Sequence, residues 1–182
     1  MFGAGNAVGV GLTAQRALLT ALALLVPTVP LWIWASEILV ALGQPAEVAA
    51  LAQHYMLLLL PGLAPFAVFE VARKYVYAQG LLWPPLPAAC VGLASHALWL
   101  RAASALLGPS GAPLAPCLTY TTMAVTLLAI IRWRVPQAAA AWPRGAAQRA
   151  QLWRDRRAWR HFLTTSFSGK VLGWWDGGMV GW

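Results

Sequence analysis

Apolar positions in this chain fall into four long blocks, 17–36, 48–69, 75–100 and 102–131, that carry no Asp, Glu, Lys or Arg. Only Glu37, Glu47, Glu70, Arg73, Lys74 and Arg101 interrupt them. A hydrocarbon layer of about 30 Å is crossed by about 20 apolar residues in helical form. Each block reaches that length, and a water-soluble fold of 182 residues could not bury four such helices on every side. The pattern predicts an all-α, polytopic transmembrane bundle. Its spans are expected at about 17–35, 51–71, 81–100 and 113–131, with the start of a further, incomplete helix at 162–182.

The residues between the blocks punctuate this reading. Pro27 and Pro30 lie in the first span, and Pro61 and Pro65 in the second. Proline removes a helix hydrogen bond, so both spans are expected to be kinked or broken. Trp32 and Trp34 suit the interfacial aromatic belt at the exit of the first span. A short polar link, SEILVALGQPAEV, leads to the second span, which ends at Arg73 and Lys74. Gln79-Gly80 and Gly108-Pro109-Ser110-Gly111 read as turns. The glycine-rich opening, MFGAGNAVGVG, lacks the GxGxxG spacing of a nucleotide loop and is read as a loop or helix start at the membrane surface. It also lacks the basic start of a secretory signal.

Charge changes the picture by giving it a direction. Of the 13 Lys and Arg, the largest group falls between Arg132 and Arg160, beside the fourth span. Arg16, Arg73 and Lys74 lie on the same side of the membrane as that cluster, whereas Glu37, Glu47 and Arg101 lie toward the other. The bias in Lys and Arg places the first side in the cytosol. It also explains a net charge of +8 through orientation and anionic head groups, so no nucleic-acid partner is expected. The segment 136–161, with Trp142, Trp153 and Trp159 among its arginines, is read as a basic cytosolic linker or a helix lying on the leaflet. A mean hydropathy of +0.63 agrees with membrane lipid as the main surroundings.

Candidate chemistry is sparse. His54, His96 and His161 lie far apart, and HExxH, GxSxG and CxxC are absent. No enzyme activity, metal site or cofactor is therefore expected. Cys90 and Cys117 are expected as inert core thiols. His96 is the one imidazole deep in a span, where an ionisable group is read either as functional or as a neutral histidine bonded to a helix carbonyl. Glu70 stands near the cytosolic end of the second span with Arg73 at i+3 and Lys74 at i+4. Such spacing offsets the cost of a carboxylate in lipid, with coupling expected between Glu70 and Lys74.

The order of short motifs carries a resemblance. FGAGN, the pair Gln15-Arg16, an apolar span, LGQ at 42–44, Ala52 and Tyr55, LPGL at 60–63 and KYVYAQG at 74–80 succeed one another as in the MATE family, the multidrug and toxic compound extrusion transporters. The resemblance covers about residues 1–135 and implies that the four spans are the third to sixth of twelve helices. It also implies a cytosolic Gln-Arg side, in agreement with the charge count. The domain reading is then a partial N-terminal transporter lobe over 1–135, the linker 136–161, and the beginning of a seventh helix at 162–182. Where the family commonly has Gln, this chain has Tyr77; Gln79 keeps its place. The family's seventh helix often carries Glu-Trp-Trp and a second Glu, implicated in cation coupling. Here Gly173-Trp174-Trp175 is followed by Asp176.

The resemblance implies an antiporter that exports organic cations or other xenobiotics and metabolites in exchange for protons or sodium. Glu70, Lys74, Gln79, His96 and Asp176 are the expected residues of its substrate or ion pathway. A small-molecule substrate and membrane lipid are the expected partners, in a plasma, vacuolar or other organellar membrane. Alternating access needs two bundles that rock about a midplane site. A chain of four spans is therefore expected to be a fragment or shortened product that self-associates and does not transport alone. The other class the sequence allows is a small four-span structural or regulatory membrane protein. The topology itself is testable: cysteines at Glu47 and Ala146, in a background lacking Cys90 and Cys117, should label from opposite sides, and labelling from one side would sink the four-span arrangement.

Overall fold

The computed structural model describes residues 7–143, 145, 152 and 155–164. Leucine, alanine and valine carry the first helix, α1 (Ala7–Ile33), straight through Pro27 and Pro30. After a turn at Trp34 comes the short α2 (Ala35–Ala41). The long α3 (Ala46–Tyr77) likewise continues through Pro61 and Pro65. It is followed by α4 (Pro85–Leu107), a 3-10 turn (Gly108–Gly111), α5 (Leu114–Arg134) and α6 (Pro136–Ala141). Residues 156–164 are also helical. Among the described residues four helices are long and apolar enough to cross a membrane, at Val8–Ile33, Ala46–Tyr77, Pro85–Gly111 and Leu114–Arg134. The all-α, four-span expectation is borne out.

Three details differ from the sequence reading. The first helix starts about ten residues early, so that Arg16 lies within it. The proline-bearing spans are not broken, because unwinding in lipid would strand still more backbone carbonyls than the prolines do. The link 36–47, read as a polar connection, holds α2, whose Ala35 is buried. Two helix ends follow a common closing pattern. Leu81 N–H bonds Val76 O at 3.0 Å and Gly80 N–H bonds Tyr77 O at 2.9 Å, with Gly80 at φ +77°. This is the Schellman arrangement, which glycine enters without a Cβ penalty. Gly43, at φ +91°, closes α2 in the same way.

Close packing is concentrated on α5. Ala115 and Leu127 are fully buried there, as are Val76 on α3 and Ala88 on α4. A Cβ added at Gly62 of α3 would lie 2.7 Å from Cys117 Sγ and 2.9 Å from its Cα. Gly92 of α4 meets Met123 of α5 in the same manner. Helices in lipid gain from such backbone approach because dispersion, rather than water, holds them together. Cys117 is buried as expected, and its Sγ lies 3.5 and 3.6 Å from the carbonyl oxygens of Leu58 and Leu59, one turn before Pro61. Cys90 is not a core thiol. It is exposed on the outer face of α4, where a small apolar side chain meets lipid as readily as protein.

Side-chain hydrogen bonds lace α4 to α5. His96 Nδ1 stands 2.8 Å from Thr119 Oγ1, and Trp99 Nε1 donates to Thr122 Oγ1 at 3.1 Å. At the end of the bundle away from the basic cluster, Gln53 Nε2 donates to Ile33 O, and His54 Nε2 meets Ser110 Oγ at 3.2 Å. Glycine at the α3–α5 contact makes a sharp prediction. Gly62→Ala should lower thermal stability in detergent by about 1–3 kcal/mol, the range for overpacking. Gly92→Ala should cost less, because Met123 is a flexible side chain that can swing aside whereas Cys117 Cα cannot. Equal unfolding temperatures for the two variants would contradict the packing described.

Candidate functional site

Whereas α3, α4 and α5 pack tightly, α1 leans away from the bundle. Its first turns bury Val10, Leu12, Ala14 and Arg16, but Leu24, Val26 and Leu31 stay 53%, 72% and 57% exposed. The result is a groove of about 1020 Å³ between α1 and α3. Its α3 wall runs from Leu63 to Ala78, about 22 Å at 1.5 Å per residue. The α1 wall extends from Val10 to Trp32, and Phe162 and Leu163 complete the lining. Thr13, Thr20 and Thr28 lie on the α1 wall. The hydroxyls of Thr13 and Thr28 donate to Gly9 O at 2.9 Å and to Leu24 O at 2.8 Å. A threonine bonded back onto its own helix presents mostly its methyl group, so the wall is more apolar than its composition suggests.

Glu70 and Lys74 are the charged residues of this lining. They sit one turn apart on α3, which puts both on the groove face. The ion pair that forms, however, joins Glu70 to Arg73: Arg73 Nη2 donates to Glu70 Oε2 at 2.7 Å. The expected pairing of Glu70 with Lys74 is corrected accordingly. The longer, planar guanidinium reaches back at i+3 and makes a charge-assisted bond. Arg73 also stands 6.0 Å from the Tyr77 ring centroid, so the tyrosine that replaces the family's usual glutamine flanks the same pair. Among the described residues Lys74 makes no ion pair.

The other expected site residues lie elsewhere. His96 faces α5, not the groove. Thr119 Oγ1 also lies 2.8 Å from Ala115 O, so one hydroxyl serves both the ring and its own helix. Gln79 is buried just beyond α3, with Nε2 bonded to Tyr75 O at 3.3 Å. Asp176 lies outside the described residues.

Sequence reasoning missed the seal beneath the groove. Tyr75, 3% exposed and part of the groove lining, donates its hydroxyl to Ala138 O of α6 at 2.8 Å and packs edge-on against Trp142, centroids 5.4 Å apart. Gln15 Nε2 donates to Pro143 O at 3.1 Å. Gly11 of α1 approaches so close to Ala141 O and Pro143 that a Cβ would stand 2.6 Å from each. Arg16, read as a surface residue, is only 5% exposed, with Nε buried and unpartnered. The run Pro136–Ala141 carries no periodic apolar signal, only four alanines that fit a tight space.

Four apolar helices of spanning length, with a lateral groove between α1 and α3, define an integral membrane protein. The sequence model of the MatE family matches residues 1–99, more than half of the chain, and the chain belongs to that family. It is 30% identical over 135 residues to multidrug and toxin extrusion protein 1 of Danio rerio, covering 73% of this chain and 23% of that protein. It is 32% identical over 91 residues to multidrug and toxin extrusion protein 2 of Oryctolagus cuniculus, 50% of this chain and 15% of that one. Protein DETOXIFICATION 3 of Arabidopsis thaliana matches at 30% over 105 residues, 57% and 22% of the two chains. The chain thus spans less than a quarter of the length of each of these relatives. The resemblance read from the motifs is borne out.

A double-mutant cycle tests the ion pair. Glu70→Gln with Arg73→Gln should show a coupling of about 0.5 kcal/mol in thermal unfolding, the scale for a helical pair open to solvent. Glu70→Gln with Lys74→Gln should be additive. Coupling to Lys74 and none to Arg73 would reverse the assignment.

Proposed function

We propose that this chain supplies part of the substrate path of a MATE-type antiporter, which exports organic cations or other xenobiotics and metabolites in exchange for protons or sodium. The observation that carries this reading is the apolar α1–α3 groove with the Glu70–Arg73 pair at its charged end. An apolar cleft with a few placed polar groups is the usual form of a small-molecule site. A carboxylate inside a spanning helix is costly and marks ion pathways. In this mechanism a proton or sodium ion arriving at Glu70 competes with Arg73 for the carboxylate. Arg73 then turns away, and the balance of charge at the groove mouth changes in step with ion binding. Such a switch biases two states only by its differential affinity for them. The names of the relatives from Danio rerio and Oryctolagus cuniculus, with their reference to multidrug and toxin extrusion, support the substrate class.

The test places this chain in the zebrafish relative, in exchange for the segment it matches, and follows export of a fluorescent organic cation from vesicles. Export driven by a proton or sodium gradient is expected. Glu70→Gln in the chimera should slow it by about tenfold or more, as expected when one partner of a partly buried charge pair is lost. A chimera that exports equally well with Glu70→Gln would remove Glu70 from the mechanism. One that inserts correctly and exports nothing would favour the structural or regulatory four-span reading.

A further inference from the structure

The two charged residues of the groove are not equivalent. Glu70 is already neutralised by Arg73 at 2.7 Å, whereas Lys74, exposed and lining the same groove, has no ion pair among the described residues. The charge left over at the groove mouth is therefore positive. We propose that the α1–α3 groove takes an amphipathic anion: a carboxylate head on Lys74 Nζ and an apolar tail laid along α1 toward Leu24 and Leu25.

Two observations converge on this class. First, the cation sits at one end of the groove, next to Tyr75 and Ala78, and the walls beyond Glu70 are Leu, Ala, Phe and back-bonded Thr. A ligand with charge at one end and none elsewhere satisfies both regions at once. Secondly, an anionic head binds Lys74 without breaking the Glu70–Arg73 pair, whereas an organic cation, the other cargo of the proposed antiporter, binds Glu70 only once Arg73 has turned away. The inference rests on the groove being a substrate path but not on ion coupling, because binding needs no gradient.

The experiment uses the whole chain in nanodiscs of zwitterionic lipid, with protein-free discs as the blank. The fluorescent polyene carboxylate parinarate is the probe, displaced by oleate, oleyl alcohol or oleylamine. Oleate should displace it at about fivefold lower concentration than the alcohol, the margin of one exposed charge pair; oleylamine should be weakest. Lys74→Gln should erase the margin, Lys74→Arg should keep it, and Lys74→Glu should reverse it in favour of the amine. Arg101→Gln, outside the groove, should change nothing. Equal displacement by the three heads, or an oleate preference that survives Lys74→Gln, would overturn the inference while leaving the groove as a substrate path. No saturable parinarate binding would remove the groove itself, and the inference with it.

Discussion

Lipid offers a polar group no partner, and nearly every feature of this chain answers to that constraint. Serine and threonine hydroxyls in the spans bond carbonyls of their own helix, as Thr119, Thr121 and Thr122 do one turn back on α5. His96 and Trp99 find hydroxyls across the α4–α5 contact. The four span prolines leave α1 and α3 helical because the alternative, open backbone in hydrocarbon, is worse. The glycines then set how tightly the pieces meet. Gly62 and Gly92 bring α3 and α4 against α5, and the bundle gains dispersion contacts that side chains would otherwise hold apart.

The same constraint decides where a ligand could lie. Small residues let α3, α4 and α5 meet closely, whereas the glycines of α1 lie in its first turns. Gly11 and Ala14 hold it to the base of the bundle, against α6 and α3. Above that point the α1 wall is lined by Leu24, Leu25, Thr28 and Trp32, and the helix stands off. A groove that is sealed at one end and open along its length is the geometric outcome. Tyr75 belongs to both parts, lining the groove and holding α6 through its hydroxyl. Movement of α1 against α3 would therefore be felt by the segment that follows α5.

Much of the fold was legible because hydropathy reads out solvent directly: charge-free blocks of about 20 residues are spans whatever their neighbours do. The motifs from Gln15-Arg16 to KYVYAQG identified the family for the same chain. The site was only partly legible. Spacing placed Glu70, Arg73 and Lys74 on one side of α3 but could not rank i+3 against i+4, which depends on side-chain reach. His96 looked functional by depth alone, and only the position of Thr119 shows what it bonds. Residues 136–143 looked like linker because alanine carries no directional pattern. Their docking depends on the room left by Gly11, a three-dimensional fact with no local signature.

The triplet on α3 gives the groove its electrical character. Glu70 is held by Arg73 and leaves Lys74 without an ion pair among the described residues, so the charge left over at the mouth is positive. Any event that takes Glu70 out of the pair raises the positive potential beside Lys74. On the proposed reading, an ion that binds Glu70 would strengthen the hold on an anion at the same mouth, without contact between the two ligands. If both ligands bind as proposed, the coupling must act in both directions: an anion on Lys74 raises the attraction of Glu70 for any cation beside it. One acid paired with the first of two adjacent basic residues would thus be enough to link the occupancy of the groove to the ion that reaches its edge.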